Sequence, residues 1–465
     1  MESKEDKNQG QKEETKEDQK EEKKEEEKEE TNEAKINTTY EIPVKPSFFD
    51  NLGIKNMVED TFLQTSDKTW DELGVKPEIK NGLLEMDFIT PSKIQTISFP
   101  LIMKEPRLHL VAQAKNGSGK TGAFGLGVLS SIDENSDNIQ AVIFAHTREL
   151  VRQIYEVLTK MAKFTKIKIT TFSKIDVEPS DYGHILVITP GLFENRFFKK
   201  NKEALNNLKI MVLDEADYML TNEVTSRIVD RAFTLFKNEK KNVQILFFSA
   251  TYSTDCFKFI KKFYDKANLI ELKKEELTLK NVIQMYQVCK TPEDKVSFIE
   301  EYLKISKGSE RVIIFANKRD YVTDLRKNLE NRGYKVFILM GGDMSLSNRD
   351  ETIERFRNGE IQILITTDLL SRGYDERAVK LVINFDLPVK YGRNGNLEPN
   401  YETYLHRIGR TGRFGTKGIG LNLCCGKNDM DILMKIEKYY KTKMEKMKSL
   451  DELLEDIKKF YLEDS

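Results

Sequence analysis

Cysteine, histidine and tryptophan are scarce in this chain, whose 465 residues hold four Cys, four His and one Trp. Cys256, Cys289, Cys424 and Cys425 stand at none of the spacings a zinc site uses, and the adjacent pair Cys424 and Cys425 makes a poor disulfide framework. A reducing compartment is therefore expected. Long apolar runs are missing too: none reaches membrane-spanning length, and the chain starts with charge where a signal peptide needs a hydrophobic stretch. The expectation is a soluble, intracellular protein with no membrane insertion.

Large apolar side chains are almost absent from the first 35 residues, which carry 15 Asp/Glu and 9 Lys. Such a segment cannot bury enough surface to offset its ordering entropy, so a disordered, charged tail is expected over residues 1–40. The tail accounts for a charge of −6 against −1 for the whole chain, leaving about +5 on residues 36–465. A mildly basic remainder permits a polyanionic partner without requiring one.

From about Trp70, short β-branched runs alternate with helical periodicity. LHLVAQ (108–113), AVIFAHT (141–147), HILVITP (184–190), IMVLDEA (210–216) and QILFFSA (244–250) each read as a strand buried on both faces. The pattern restarts with RVIIFAN (311–317), KVFILMG (335–341), IQILITT (361–367) and LVINFDLP (381–388), and ends at GIGLNLCC (418–425). Between the two runs lies the charged stretch ELKKEELTLKN, a linker over 271–281. The length exceeds what one core usually serves. The predicted fold class is α/β, with parallel sheets in two tandem domains, 70–270 and 282–465. The second ends in one or two helices over 428–463, expected to cover an edge of that domain, and KYGRNGNLEPNYE (390–402) reads as a surface loop.

AKNGSGKTGAF (114–124) follows a predicted strand and opens a predicted helix. Its small residues let backbone N–H groups turn inward as an anion nest, so Ala114, Asn116, Gly117, Ser118 and Gly119 would line a phosphate chain. Lys120 would reach the terminal phosphates and Thr121 would hold Mg²⁺. In IMVLDEAD (210–217) an apolar strand ends in carboxylates, where open α/β sheets place their ligands. Asp214 would hold Mg²⁺ through water, and Glu215 would orient and deprotonate an attacking water. The pair points to a nucleoside triphosphatase.

Six further motifs narrow the class: PSKIQ (91–95), HTREL (146–150), TPG (189–191), SAT (249–251), TTDLLSRGYD (366–375) and HRIGRTGR (406–413). In order and spacing over residues 70–425 the series resembles the DEAD-box RNA helicases, whose two RecA-like domains bind ATP and RNA together. That resemblance implies that Gln95 reads the adenine edge and Phe88, with Trp70 upstream, stacks on the ring; both aromatics have the alternative of being core residues. It implies that Asp375 contacts the ribose and that Arg410 and Arg413 reach the γ-phosphate from the second domain. Three apart, those arginines share one face wherever the segment is helical. Ser249, Thr251, Asp217 and His406 would couple the domains, His406 having the alternative of a structural histidine. Single-stranded RNA would be held by Thr147, Arg148 and Gly191 in the first domain, and by Gly342, Asp343, Arg349 and Thr367 in the second.

Some positions depart from the family pattern. His146 stands where Pro is usual, Leu192 where many members have Arg, Asn348 where Gln is usual and Tyr374 where a small aliphatic is usual. The double glycine expected near TTFSK (170–174) is missing. PSKIQ, the connector, VINFDLP and the 390–402 segment resemble the messenger-RNA export branch. That implies action on messenger RNA at the cytoplasmic face of the nuclear pore, with a cytoplasmic and nuclear localisation; a monomer is expected. It also implies an export factor with inositol hexakisphosphate and a nucleoporin as partners. The competing readings are a general RNA clamp or translation-initiation helicase, and a silent RNA-binding scaffold, against which the intact Lys120, Asp214, Glu215, Arg410 and Arg413 stand.

Overall fold

A computed structural model describes residues 57–60 and most of 68–463; among the segments outside the described residues are 1–56, 115–116, 173–181, 273–280, 341–345, 369–378, 392–395 and 413–416. The expected tail lies wholly outside them.

The strands of the first sheet are β1 (Met57–Asp60), β2 (His109–Gln113), β3 (Ala141–Phe144), β4 (Ile169–Thr171), β5 (Ile185–Ile188), β6 (Ile210–Asp214), β7 (Gln244–Ser249) and β8 (Ala267–Leu272). The central apolar runs, β2, β3, β5, β6 and β7, become strands buried on both faces, while β4 is half-buried. The strand order is β1-β8-β2-β7-β6-β3-β5-β4, and every pairing is parallel. Register aligns Gln113 with Ser249 and Asp214 with Phe248. The residues that follow β2, β6 and β7 therefore emerge together at one end of the sheet, the end where α/β proteins bind ligands. β8 runs to Leu272, two residues into the expected linker.

The second sheet contains β9 (Val282–Cys289), β10 (Arg311–Phe315), β11 (Phe337–Leu339), β12 (Ile363–Thr366), β13 (Val379–Asn384), β16 (Gly418–Cys425) and β17 (Glu445–Lys446). It is ordered β11-β12-β10-β13-β16-β9-β17 and is also parallel throughout. Alternation sorts its side chains onto two faces. Val312, Ile314, Leu381, Ile383 and Leu421 share one apolar cluster, while Ile313, Phe315, Leu364 and Val382 share another.

One expectation needs correction. The 390–402 segment is not a plain loop: β14 (Val389–Tyr391) and β15 (Leu397–Pro399) pair as an antiparallel hairpin. The Gly/Asn-rich stretch between them has the composition of a hairpin turn rather than of a whole loop. The C-terminal helices Gly426–Tyr440 and Leu450–Glu463 pack on the second domain. Their apolar stripes lie on the sheet faces, Ile432, Leu433 and Ile436 joining Tyr404 and Cys424, and Leu453, Leu454 and Ile457 joining Leu381 and Leu421. The two-residue β17 pairs with β9 and ends the sheet on that side.

Candidate nucleotide and RNA site

Gly117 and Gly119 take φ of 75° and 94°, values that turn successive backbone N–H groups toward one concavity. The helix Lys120–Ser131 starts immediately afterwards, adding its N-terminal amides and dipole. Ala114 needs no positive φ: its N–H donates to Ser249 O at 2.9 Å and its carbonyl accepts from Lys120 Nζ at 2.9 Å. The lysine, buried with 8 % of its surface exposed, is thus held across the loop mouth. Thr121 follows it, half-buried.

Gln95 binds the loop from outside. Its Oε1 accepts from Ser92 N at 2.7 Å, and its Nε2 donates to Gly119 O at 3.3 Å. A Cβ at Gly122 would stand 2.4 Å from that same nitrogen, so this glycine is required for the helix to pack on Gln95. One amide donor and one lone pair of Gln95 stay available for a ligand. Trp70 is a core residue, and its indole N–H donates to Phe88 O at 2.9 Å. Phe88 keeps 39 % of its surface exposed. The two aromatics thus divide the roles: one anchors the backbone, the other offers a ring.

Asp214 ends β6, and its Oδ1 accepts from Glu215 N at 3.1 Å. Burial and the adjacent Glu215 push its carboxyl well above the usual carboxylate range, against the opposing pull of Lys120. Glu215 takes φ of 54°, a left-handed conformation that a non-glycine residue holds only when its surroundings impose it. Asp217, fully buried, accepts from Thr251 Oγ1 at 2.7 Å through Oδ2. Ser249 reaches the group through Thr251, whose N–H donates to Ser249 Oγ at 3.4 Å.

His406 comes from the other sheet. It lies on the helix Tyr401–Ile408, with Nε2 3.3 Å from that same Asp217 Oδ2 and Nδ1 3.7 Å from Glu215 Oε2. The helix ends at Ile408, so Arg410 lies past it. Arg410, 2 % exposed, donates through Nε to His406 O at 3.1 Å.

Sequence reasoning passed over Arg407. Fully buried, it donates through Nε to Asp368 Oδ1 at 2.6 Å, through Nη1 to Asp386 O at 2.8 Å and through Nη2 to Asn317 Oδ1 at 2.8 Å. It fixes the His406–Arg410 segment to residues that follow β10, β12 and β13. Its place inside HRIGRTGR was the available signal.

On the first sheet, Thr147 caps the helix Arg148–Met161 by accepting from Leu150 N at 3.2 Å, leaving Arg148 at the first helical position. Gly191 is exposed, with no atom within 4 Å of where a Cβ would sit. A groove of ≈ 190 Å³ joins these segments, lined by Arg148, Val151, Thr171, Phe172, Thr189 and Leu192 among others. Arg349 and Thr367 lie on the second lobe, both half-buried. Asn116, Gly342, Asp343, Asp375 and Arg413 lie outside the described residues.

The description DEAD/DEAH box helicase fits residues 92–259, and helicase conserved C-terminal domain fits residues 294–415. The chain belongs to the DEAD-box ATP-dependent RNA helicases and is an ATP-hydrolysing enzyme. It is similar to the ATP-dependent RNA helicase DBP5 of Scheffersomyces stipitis, 37 % identical over 409 residues that span 87 % of this chain and 78 % of that one. The structure of S. cerevisiae Dbp5 bound to RNA and ADP BeF3 matches with TM-score 0.76 at 35 % identity, covering 84 % of this chain and 99 % of that one. A Dbp5 variant from S. cerevisiae bound to Nup159, a Gle1 variant, IP6 and ADP matches with TM-score 0.59 at 33 % identity, covering 83 % and 100 %. The two sheets with their helices are the two RecA-like domains of that fold.

Proposed function

We propose that this helicase remodels RNA–protein complexes during messenger-RNA export at the nuclear pore, acting as a monomer on single-stranded RNA. The observation that carries the mechanism is the approach of His406 in one lobe to Asp217 and Glu215 in the other, at 3.3 and 3.7 Å. Such contacts exist only when the lobes, taken here as 70–270 and 282–465, are closed.

In this reading Phe88 and Gln95 hold the adenine, Asp375 the ribose, and residues 114–121 the phosphates. Thr121 and Asp214 hold Mg²⁺. The residues suit the ion, because Asp214 is a buried carboxylate destabilised by a second carboxylate beside it and gains from a hard cation. The ion would neutralise charge on the phosphate oxygens. Glu215, fixed by its left-handed backbone, orients the attacking water and takes its proton. Arg410 and Arg413 meet the charge that develops on the γ-phosphoryl group. Asp217, Thr251, Ser249 and His406 tie hydrolysis to closure. Thr147, Arg148, Gly191, Gly342, Asp343, Arg349 and Thr367 contact phosphate and sugar, so binding ignores base identity there.

The likeness to Dbp5 structures that contain Nup159, Gle1 and IP6 supports a nucleoporin and an export factor with inositol hexakisphosphate as partners, and a place at the cytoplasmic face of the pore. ATP turnover measured with no nucleic acid, with RNA and with DNA of the same sequence tests the reading. RNA should stimulate most, since 2′-OH groups are available to a backbone reader. Inositol hexakisphosphate with the export factor should stimulate further. Equal stimulation by DNA would contradict the RNA assignment, and indifference to the export factor would remove the export role.

A further inference from the structure

Phosphate and sugar contacts need amides, hydroxyls and guanidinium groups. The groove on the first lobe offers those at its rim, yet its lining also includes Val151, Phe172 and Leu192. Phe172 falls where the family pattern leads one to expect small residues, and Leu192 where many members carry Arg. The Phe172 ring is fixed in place: the Arg196 guanidinium sits over it at 4.3 Å, and its centroid lies 6.3 Å from that of Tyr182 and 6.5 Å from that of Phe197. Arg196 is itself buried. Half-buried, Phe172 still has surface that borders the groove. Arg148, at the rim, makes no ion pair among the described residues, so its charge is available to a phosphate.

A free guanidinium beside an immobile ring and a branched aliphatic matches one nucleotide: phosphate on the arginine, base on the apolar floor. We infer that Phe172 and Leu192 form a base platform, which receives one unstacked nucleobase of the bound RNA strand. It rests on the proposal that RNA follows Arg148 and Gly191 across this lobe. A platform of this kind adds affinity without a hydrogen-bond code, because every base has a π-face, and it favours bases that stack strongly. It also supplies what the missing double glycine cannot, a side-chain grip on the strand at this point.

The test uses the full chain loaded with a non-hydrolysable ATP analogue and a short single-stranded RNA in which each base is removed in turn, read by fluorescence anisotropy. At one position, loss of the base should weaken binding to the unmodified protein about tenfold. Phe172→Ala should weaken binding of intact RNA by about the same factor and show no further loss at that position, the two changes being coupled. Phe172→Trp should keep the position-dependent loss. Arg148→Ala should weaken every RNA in the series alike. A flat series with the unmodified protein overturns the platform whether or not the Phe172 variants fold, as does a Phe172→Ala loss that adds to the loss at every position. Failure of the underlying reading looks different: Arg148→Ala would then bind all the RNAs as tightly as the unmodified protein.

Discussion

Arg357 Nη2 lies 2.9 Å from Glu149 Oε1 and joins the helix Leu346–Arg357 of the second lobe to the helix Arg148–Met161 of the first. Arg152 closes a ring of four charges, 2.8 Å from Glu149 and 2.6 Å from Glu354, with Arg357 3.1 Å from Glu354. Two of the four pairs cross between lobes, and Glu149 is the most buried member at 10 % side-chain exposure.

These charges are partly solvated, so each cross-lobe pair is worth only about 0.2–1 kcal/mol. Arg357→Ala should therefore weaken RNA binding in the presence of an ATP analogue by at most about fivefold and leave ATP affinity alone. The difference should shrink at high salt, where such pairs are screened. Titrations at two ionic strengths check it; an undiminished difference would show that Arg357 acts by packing.

Asp217 Oδ2 is shared by Thr251 of the same lobe and His406 of the other. His406→Ala should lower RNA-stimulated turnover by about 100-fold, through misplacement of the reacting groups, while ATP affinity changes little. Thr251→Val should act in the same direction. Steady-state kinetics paired with nucleotide binding decide the matter, since a merely structural histidine would damage both in parallel.

His109 accepts from Ile245 N through Nδ1 at 3.0 Å and packs at a tilt against Tyr264, and burial pushes its pKa down from 6.5 to about 4. The unfolded chain binds the additional proton first, so the contribution of this residue to stability falls as pH drops from 6.5 toward 4 and rises again with pH. His109→Asn keeps an acceptor and should flatten that part of the profile. Denaturant unfolding at about pH 7.5 and pH 5 gives the slope; an unchanged slope would place the pH dependence elsewhere.

The central strands were legible because a parallel strand covered on both faces must be a continuous apolar run, as in ILVI (185–188) and IMVL (210–213). The phosphate loop was legible because its glycines serve the backbone locally. β8 and β9 were missed for the converse reason: ANLIEL mixes polar with apolar residues, and VIQMYQVC is only partly buried. The 390–402 hairpin had turn residues but short, half-polar arms. Arg407 and Glu149 owe their positions to partners far along the chain, Arg357 lying 208 residues from Glu149. No local spacing reveals such pairs. Phe172 was visible only as a departure, and its groove exists only once β4, β5 and the helix Arg148–Met161 are assembled.

Arg410 tests the two-lobe mechanism most directly. It is buried, bonded to the carbonyl of His406, and carried by the lobe that lacks the phosphate loop. The measurement is RNA-saturated ATP hydrolysis by Arg410→Ala beside its ATP affinity. The expected result is a loss of roughly 10³-fold or more in turnover, as for an arginine finger, with ATP affinity within a few-fold of the unmodified protein. Turnover at the unmodified rate would show that catalysis is complete within the first lobe, and would contradict closure as the step that makes the enzyme.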